Sequence, residues 1–166
     1  RSTVTDLREA LTAGDYVALR QILATEPLPA ESGALLMQAL SHPQGGGRLA
    51  RELVKAGADL SHKDDEGRTP LMLAVFAGDA PLVEAMLARG AAVDEPASEG
   101  VTPLMFACAL RHKEVARVLL KQGASLTRKA KEPITPLLAA LYSSQEAGEF
   151  DAAFWDVLRS GGADLK

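Results

Sequence analysis

The stretch Gly67-Arg68-Thr69-Pro70-Leu71-Met72-Leu73-Ala74 decides the fold of this chain, because it occurs three times. It returns as Gly100-Val101-Thr102-Pro103-Leu104-Met105-Phe106-Ala107 and as Pro133-Ile134-Thr135-Pro136-Leu137-Leu138-Ala139-Ala140, so its threonines are evenly spaced along the chain. A second marker keeps the same step, at Gly57-Ala58, Gly90-Ala91 and Gly123-Ala124. Two markers in phase at this period predict a stacked array of similar units.

Each unit is predicted to contain two short helices. Thr69 can cap the first helix by accepting a backbone N–H, and Pro70 suits the first helical position, where no N–H partner is needed. Gly78 then supplies the left-handed residue that ends this helix. The second helix, at about residues 82–88, carries one apolar stripe at helical period and ends at Gly90.

The repeated unit resembles that of the ankyrin repeat family, Gly-x-Thr-Pro-Leu-His-x-Ala followed by a helix and Gly-Ala-Asp. Gly57-Ala58-Asp59, Asp64, Gly67 and Thr69-Pro70-Leu71 match this pattern closely. The family histidine is replaced in all three units, so apolar packing is expected where its hydrogen bonds would lie; the replacements are Met72, Met105 and Leu138. Pro133 stands where the family has glycine, so the last finger is expected to differ in shape.

The resemblance implies an all-α fold, an ankyrin repeat solenoid of about five stacked helix-turn-helix units with β-hairpin-like fingers. We expect a single domain over residues 1–166, with repeats at approximately 1–29, 30–66, 67–99, 100–132 and 133–166. The first repeat is atypical, with helices expected at residues 6–13 and 15–24. In the last repeat the closing Gly162-Ala163 lies 39 residues after Gly123-Ala124 instead of 33, and we place the six inserted residues at residues 143–150.

The single tryptophan, Trp155, has two interpretations. It is expected to cap the end of the core, because terminal repeats must cover one face of the array. The other interpretation is that it anchors a partner beside the longer loop.

The composition excludes several classes of protein. Hydrophobic residues make up 47% of 166 residues, which argues against disorder. No apolar run is long enough for a membrane helix, and no signal peptide is visible. We expect a cytoplasmic protein, or an exported or periplasmic one if a signal was removed before Arg1.

Catalytic and metal-binding constellations are not apparent in the sequence. Cys108 and His112 are four residues apart, but Cys108 occupies the slot that Val75 and Leu141 fill in the neighbouring repeats. A buried, apolar cysteine is therefore expected, with His112 solvated in the turn between helices. No histidine has metal-ligand spacing and no dinucleotide fingerprint appears. We expect no catalytic residue, no cofactor and no metal.

Charge is distributed unevenly along the chain. Residues 100–132 contain seven Lys or Arg and two Glu, a net charge of +5, whereas the whole chain has −4. The predicted fingers at residues 64–66 and 94–99 are acidic, and the finger at 128–131 is basic. This balance disfavours nucleic acid and fits a protein partner that carries both signs of charge. We expect no membrane association and a monomer in the free state.

The predicted function is a non-catalytic protein–protein interaction module, acting as an adaptor or as an inhibitor or immunity-type binder of an enzyme. The alternative is an interaction segment of a larger protein whose catalytic or effector part lies outside this chain. An enzyme is the third and least favoured hypothesis, because no site geometry is visible.

The binding residues follow from the resemblance, because partners of ankyrin repeats usually meet the concave face and the finger tips. Phe76, Leu110 and Tyr142 are large and apolar for residues that merely face water; the alternative is that they pack locally against the fingers. The predicted partner-binding residues are Asp65, Glu66, Arg68, Phe76, Ala77, Pro96, Glu99, Val101, Ala109, Leu110, Lys129, Lys131, Ile134, Tyr142 and Ser143.

Overall fold

Short helices joined in pairs form the structure, a computed structural model that describes residues 2–43, 46–131, 135–136, 138–141 and 152–160. The first eight helices are α1 (Thr3–Ala13), α2 (Tyr16–Thr25), α3 (Ser32–Leu40), α4 (Gly46–Lys55), α5 (Pro70–Ala77), α6 (Ala80–Ala88), α7 (Pro103–Leu110) and α8 (Lys113–Lys121). Residue 136 and residues 138–141 are also helical. The last described helix is α9 (Ala152–Ser160), and one 3-10 turn covers Ser98–Gly100.

The threonines of the repeated marker cap their helices, as predicted. In each case the side-chain oxygen accepts a hydrogen bond of 3.3 Å from the N–H three residues later, at Thr69, Thr102 and Thr135. A proline follows each threonine at the start of the helix. Gly78 ends α5 with φ 69°, the left-handed conformation that glycine adopts without steric cost. Local sequence signals therefore set both ends of α5.

Each helix of the first repeat begins directly after a capping residue, so its start differs from the predicted one. α1 begins at Thr3, because the Ser2 side chain accepts the N–H of Thr5 at 3.2 Å. Asp15 lies outside α2 and caps it, since its carboxylate accepts the N–H of Ala18 at 3.0 Å. The prediction had placed Asp15 inside the helix.

The helix pairs stack in chain order around one continuous core. The first helices α1, α3, α5 and α7 pack side by side, and the second helices α2, α4, α6, α8 and α9 form a parallel row. Each first helix contributes a fully buried leucine; these are Leu7, Leu35, Leu71 and Leu104. Because each unit buries its apolar face against its neighbours, the predicted all-α repeat array is confirmed in this arrangement.

Methionine fills the position where the family pattern has histidine. Met72 and Met105 are 0% and 2% exposed, so the expected apolar packing is observed in these two repeats. The Sδ atom of Met105 also accepts the backbone N–H of Thr102 at 3.5 Å. A weak sulfur acceptor thus satisfies one free N–H group at the start of α7.

The fingers between helix pairs are turns, and the described residues contain no strand. Two backbone hydrogen bonds close the finger at residues 64–68, from Asp64 N–H to the Arg68 carbonyl at 3.0 Å and from Gly67 N–H to the Asp64 carbonyl at 2.9 Å. The finger at residues 97–101 has the equivalent bonds, from Ala97 to Val101 at 2.8 Å and from Gly100 to Ala97 at 3.1 Å. These bonds close a single turn and do not continue into the ladder of a β-hairpin, so the hairpin-like fingers predicted from the resemblance are not seen in the described residues.

In the last repeat, the exposure of Leu141 differs from the prediction, whereas the position of Trp155 agrees with it. Leu141 is 47% exposed, whereas Val75 and Cys108 at the equivalent positions are fully buried, so the predicted buried slot for Leu141 is wrong. Trp155 is half-buried and packs against the core, as expected of a cap. The predicted insertion at residues 143–150 and Pro133 lie outside the described residues.

Candidate functional site

Apolar side chains cover the exposed side of α5 and α7. The rings of Phe76 and Phe106 pack edge to face, with centroids 4.5 Å apart and an interplanar angle of 62°, and both are half-buried. Ala77 and Ala109 beside them are exposed, and Leu110 is 45% exposed. We name these five residues the apolar floor. Small alanines between larger side chains leave room for an incoming apolar group.

The turn between α7 and α8 holds the end of α5 in place. Nε2 of His112 donates to the carbonyl oxygen of Phe76 at 3.3 Å, and His112 is half-buried; the solvated histidine expected from the sequence is therefore wrong. The His112 ring lies against Gly78, where a Cβ atom would come within 3.0 Å of Cε1. Glycine is needed there for this close approach as well as for its positive φ. This contact fixes the backbone that carries Phe76.

The first finger is held by a single carboxylate, that of Asp64. Its Oδ1 accepts the N–H groups of Glu66 at 3.0 Å and Arg68 at 2.8 Å, and its Oδ2 accepts Nε of Arg68 at 2.8 Å. Partial burial raises the pKa of Asp64, but the bonds from Arg68 and Glu66 outweigh it and lower the pKa below its ordinary value. The finger is therefore ordered before any partner arrives.

Hydrogen bonds between neighbouring fingers align the three fingers side by side. The backbone N–H and the hydroxyl of Ser98 donate to the Glu66 carbonyl at 2.9 Å and 2.7 Å. In the same way, the N–H of Lys131 donates to the Glu99 carbonyl at 2.6 Å. The second finger has Ala97 where the first has Asp64, so it lacks the carboxylate clamp. The register between fingers thus comes from the backbone and is the same from one repeat to the next.

The predicted partner-binding residues fall into two groups on one side of the array, which we call the concave face. The first group lies on the apolar floor, at Phe76, Ala77, Ala109 and Leu110. The second lies on the fingers: Arg68, Pro96 and Val101 are half-buried there, and the exposed members are Asp65, Glu66, Glu99, Lys129 and Lys131. Ile134, Tyr142 and Ser143 lie outside the described residues.

Two residues that shape the concave face, Phe106 and Asp64, are absent from the set of partner-binding residues predicted from the sequence. Phe106 lies three residues before Ala109, which was included, so helical spacing along α7 was a signal for it. Its contact with Phe76 joins two repeats, and the sequence alone does not reveal that contact. The role of Asp64 as the clamp of the finger had a local signal, an aspartate four residues before Arg68.

The convex side offers a competing surface. A groove of about 620 Å³ runs between α8 and α9, lined by Arg117, Leu120, Lys121, Ala153, Asp156, Val157 and Ser160. Arg117 is already paired with Glu114 at 2.7 Å on the same helix. Exposed charges of this kind usually only face solvent, so this groove is a suitable control surface in tests of binding.

The cysteine is not placed for nucleophilic chemistry. Cys108 is fully buried, and this burial raises the pKa of its thiol to about 12. The thiolate needed for attack is therefore scarce at neutral pH. Within the described parts of the chain, no three His, Cys, Asp or Glu residues are grouped as metal ligands. In the same parts, no helix has the length and apolar character needed to span a membrane.

A family model described as ankyrin repeats, in three copies, matches residues 36–130, more than half of the chain. The matched range includes α4 to α8 and nearly all of the three fingers that carry the concave face. No curated protein matches the chain.

Proposed function

The chain belongs to the ankyrin repeat family, whose repeats generally mediate interactions between proteins, and on that premise we propose that it is a non-catalytic binding module. It binds a partner protein through the apolar floor and the finger tips. Its role is that of an adaptor, or of an inhibitor that covers a partner enzyme. Ankyrin repeats are generally not enzymes, which supports the non-catalytic assignment.

The half-exposed apolar floor is the observation that carries this proposal. Most of the large apolar side chains of α5 and α7 are buried, yet Phe76, Phe106 and Leu110 remain accessible. Contiguous exposed apolar surface on a soluble array marks an interaction site more often than a chance arrangement. The charged fingers beside it supply the polar rim that protein interfaces usually have.

The rigidity of the surface supports the same function. The Asp64 clamp, the bonds between fingers and the His112–Phe76 bond hold the floor and the rim in fixed positions. A surface that is already ordered loses little conformational entropy when it binds. The array therefore suits recognition of a folded or peptide partner without rearrangement.

We further infer that residues 1–166 form one domain of five repeats, with the boundaries expected from the sequence. Four described helix pairs at the expected places, followed by α9 packed on α8, support this division. Calorimetry of the chain should show a single cooperative unfolding transition, because neighbouring repeats stabilise one another. Two well-separated transitions would contradict a single domain.

Binding by variants tests the function. A partner captured with the intact array should bind the double variant Phe76→Ala, Leu110→Ala more weakly by more than about 2 kcal/mol, because large apolar anchors dominate interface energies. The control is Arg117→Glu, Lys121→Glu on the convex side, which should leave affinity unchanged. Thermal unfolding of each variant separates lost binding from lost folding. Equal affinity of the floor variant and the parent, with loss in the control, would place the site on the convex side.

A further inference from the structure

The three fingers carry different charges at their tips. The constant register of the repeats places Asp65, Ser98 and Lys131 at the same position of successive fingers. The backbone bonds between fingers hold these positions in one row. Along this row the side chain changes from acidic through neutral to basic. A partner that lies across the fingers therefore meets negative charge on the first finger and positive charge on the third.

Several charged groups on the fingers already have internal partners. Arg68 pairs with Asp64 at 2.8 Å, and Lys63 pairs with Glu95 across the first two fingers. Arg128 donates to the Asp94 carbonyl at 3.1 Å. These groups stabilise the fingers and have less to offer a partner.

Two charges, one on the first finger and one on the third, remain available. Asp65 on the first finger and Lys129 on the third are exposed, and neither makes an ion pair or hydrogen bond with any residue that the structure describes. Lys131 pairs with Glu99 at 3.4 Å, but both side chains are more than half exposed, so this pair is weak. The accessible charge is therefore negative at one end and positive at the other.

The distance between Asp65 and Lys129 sets the minimum length of the partner segment. Neighbouring helices pack about 8–10 Å apart, so charges two repeats apart are separated by roughly 20 Å. An extended segment covers this distance with about six residues, at about 3.3 Å per residue. The apolar floor lies beside this line, on α5 and α7, so about six residues is the minimum length of a segment that also contacts the floor.

Resting on the proposed function, we propose that the concave face selects a bipolar segment of the partner protein. An apolar side chain of that segment lies against Phe76 and Phe106. A basic residue at one end faces Asp65, and an acidic residue at the other end faces Lys129. The apolar contact supplies most of the affinity, and the two charges fix the direction of binding, because complementary charges mainly determine orientation and specificity.

Peptide selection followed by charge exchange tests this proposal. The probe is a random library of linear peptides, each long enough to span the three fingers, displayed on phage and selected on the intact protein in low salt. Selection should enrich sequences with an apolar centre, Lys or Arg at one end and Asp or Glu at the other. The double variant Asp65→Lys, Lys129→Glu should bind the selected peptide about tenfold more weakly, and should prefer the peptide with its charged ends exchanged.

The controls separate failure of this proposal from failure of the proposed function. The variant Ala77→Arg, Leu110→Arg blocks the floor at exposed positions and should abolish peptide binding, whereas Arg117→Glu, Lys121→Glu should not change it. Some peptides could lose binding to the floor variant but bind the charge-exchanged variant as tightly as the parent protein. That result would overturn the bipolar segment and leave the proposed function standing. Peptides that bind the floor variant as tightly as the parent protein would overturn both the bipolar segment and the proposed function. If no sequence is enriched above an unrelated control protein, the bipolar segment is also contradicted.

Discussion

A single residue, Asp64, holds the first finger in its conformation although it lies at the protein surface. Asp64 satisfies two backbone N–H groups and the Arg68 side chain, and it orders the first finger in doing so. Its neighbour Asp65 makes no such contact among the described residues. The two adjacent aspartates therefore have separate roles, one internal and one available to a partner.

The pH dependence of stability should show the role of Asp64. Its folded pKa lies below the ordinary 3.8, so its contribution is present above that value and is lost as pH falls through the lower, folded pKa. We expect Asp64→Asn to destabilise the protein by about 1 kcal/mol at neutral pH. This difference from the parent should shrink when the pH falls below 3.8.

Urea unfolding followed by circular dichroism, at neutral and at acidic pH, measures this effect. Asp65→Asn is the matched control and should change stability by less than about 0.5 kcal/mol. If the two variants are equally stable at neutral pH, the Asp64 carboxylate does not hold the finger.

Helices of this chain are specified locally, and this is why the sequence predicted them well. The threonine caps and Gly78 act within a few residues of the helix ends they determine. Contacts between units were harder to predict, because their partners are about one repeat apart in sequence. The ring of His112 meets Phe76, and Ser98 meets Glu66, only when the units are stacked.

A comparison of two glycines should isolate the contact between fingers. Gly67 and Gly90 both have positive φ, at 73° and 93°, so alanine at either position incurs left-handed strain of about 1–2 kcal/mol. A Cβ atom at Gly67 would also lie 3.1 Å from the backbone nitrogen of Ser98, whereas Gly90 has open space. We expect Gly67→Ala to reduce the free energy of unfolding more than Gly90→Ala.

Chemical unfolding of both alanine variants gives this comparison directly. The excess loss in Gly67→Ala reports the close packing of the first finger on the second. Equal losses would show that the fingers are not in contact at this point.

For the molecule as a whole, stability comes from the interfaces between stacked repeats. Leu104 is fully buried in α7, while Leu110 in the same helix is 45% exposed. Leu104→Ala should cost roughly 2–5 kcal/mol because it leaves a cavity between units. Leu110→Ala should cost about 0.5 kcal/mol, as a surface change does. Similar losses of unfolding free energy in the two variants would show that the repeat register is wrong.

The periodic sequence predicted this array, and the resemblance to ankyrin repeats predicted one side of it as the binding face, but neither predicted the floor in detail. The constant spacing of the repeats placed Ala77, Ala109 and Leu110 correctly on the exposed side. The pairing of Phe76 with Phe106 depends on how two helices pack against each other, which no single repeat encodes. Leu141 is exposed where its equivalents Val75 and Cys108 are buried, which the repeat pattern did not predict.

Hydrogen–deuterium exchange of the protein, alone and bound to a partner captured with the intact array, tests the central claim most directly. Binding to the concave face should slow amide exchange in the fingers at residues 64–68 and 97–101 and at the ends of α5 and α7. Exchange on the outer side, in α6 and α8, should stay the same. Protection confined to α6 and α8, with unchanged exchange in the fingers, would contradict recognition through the concave face.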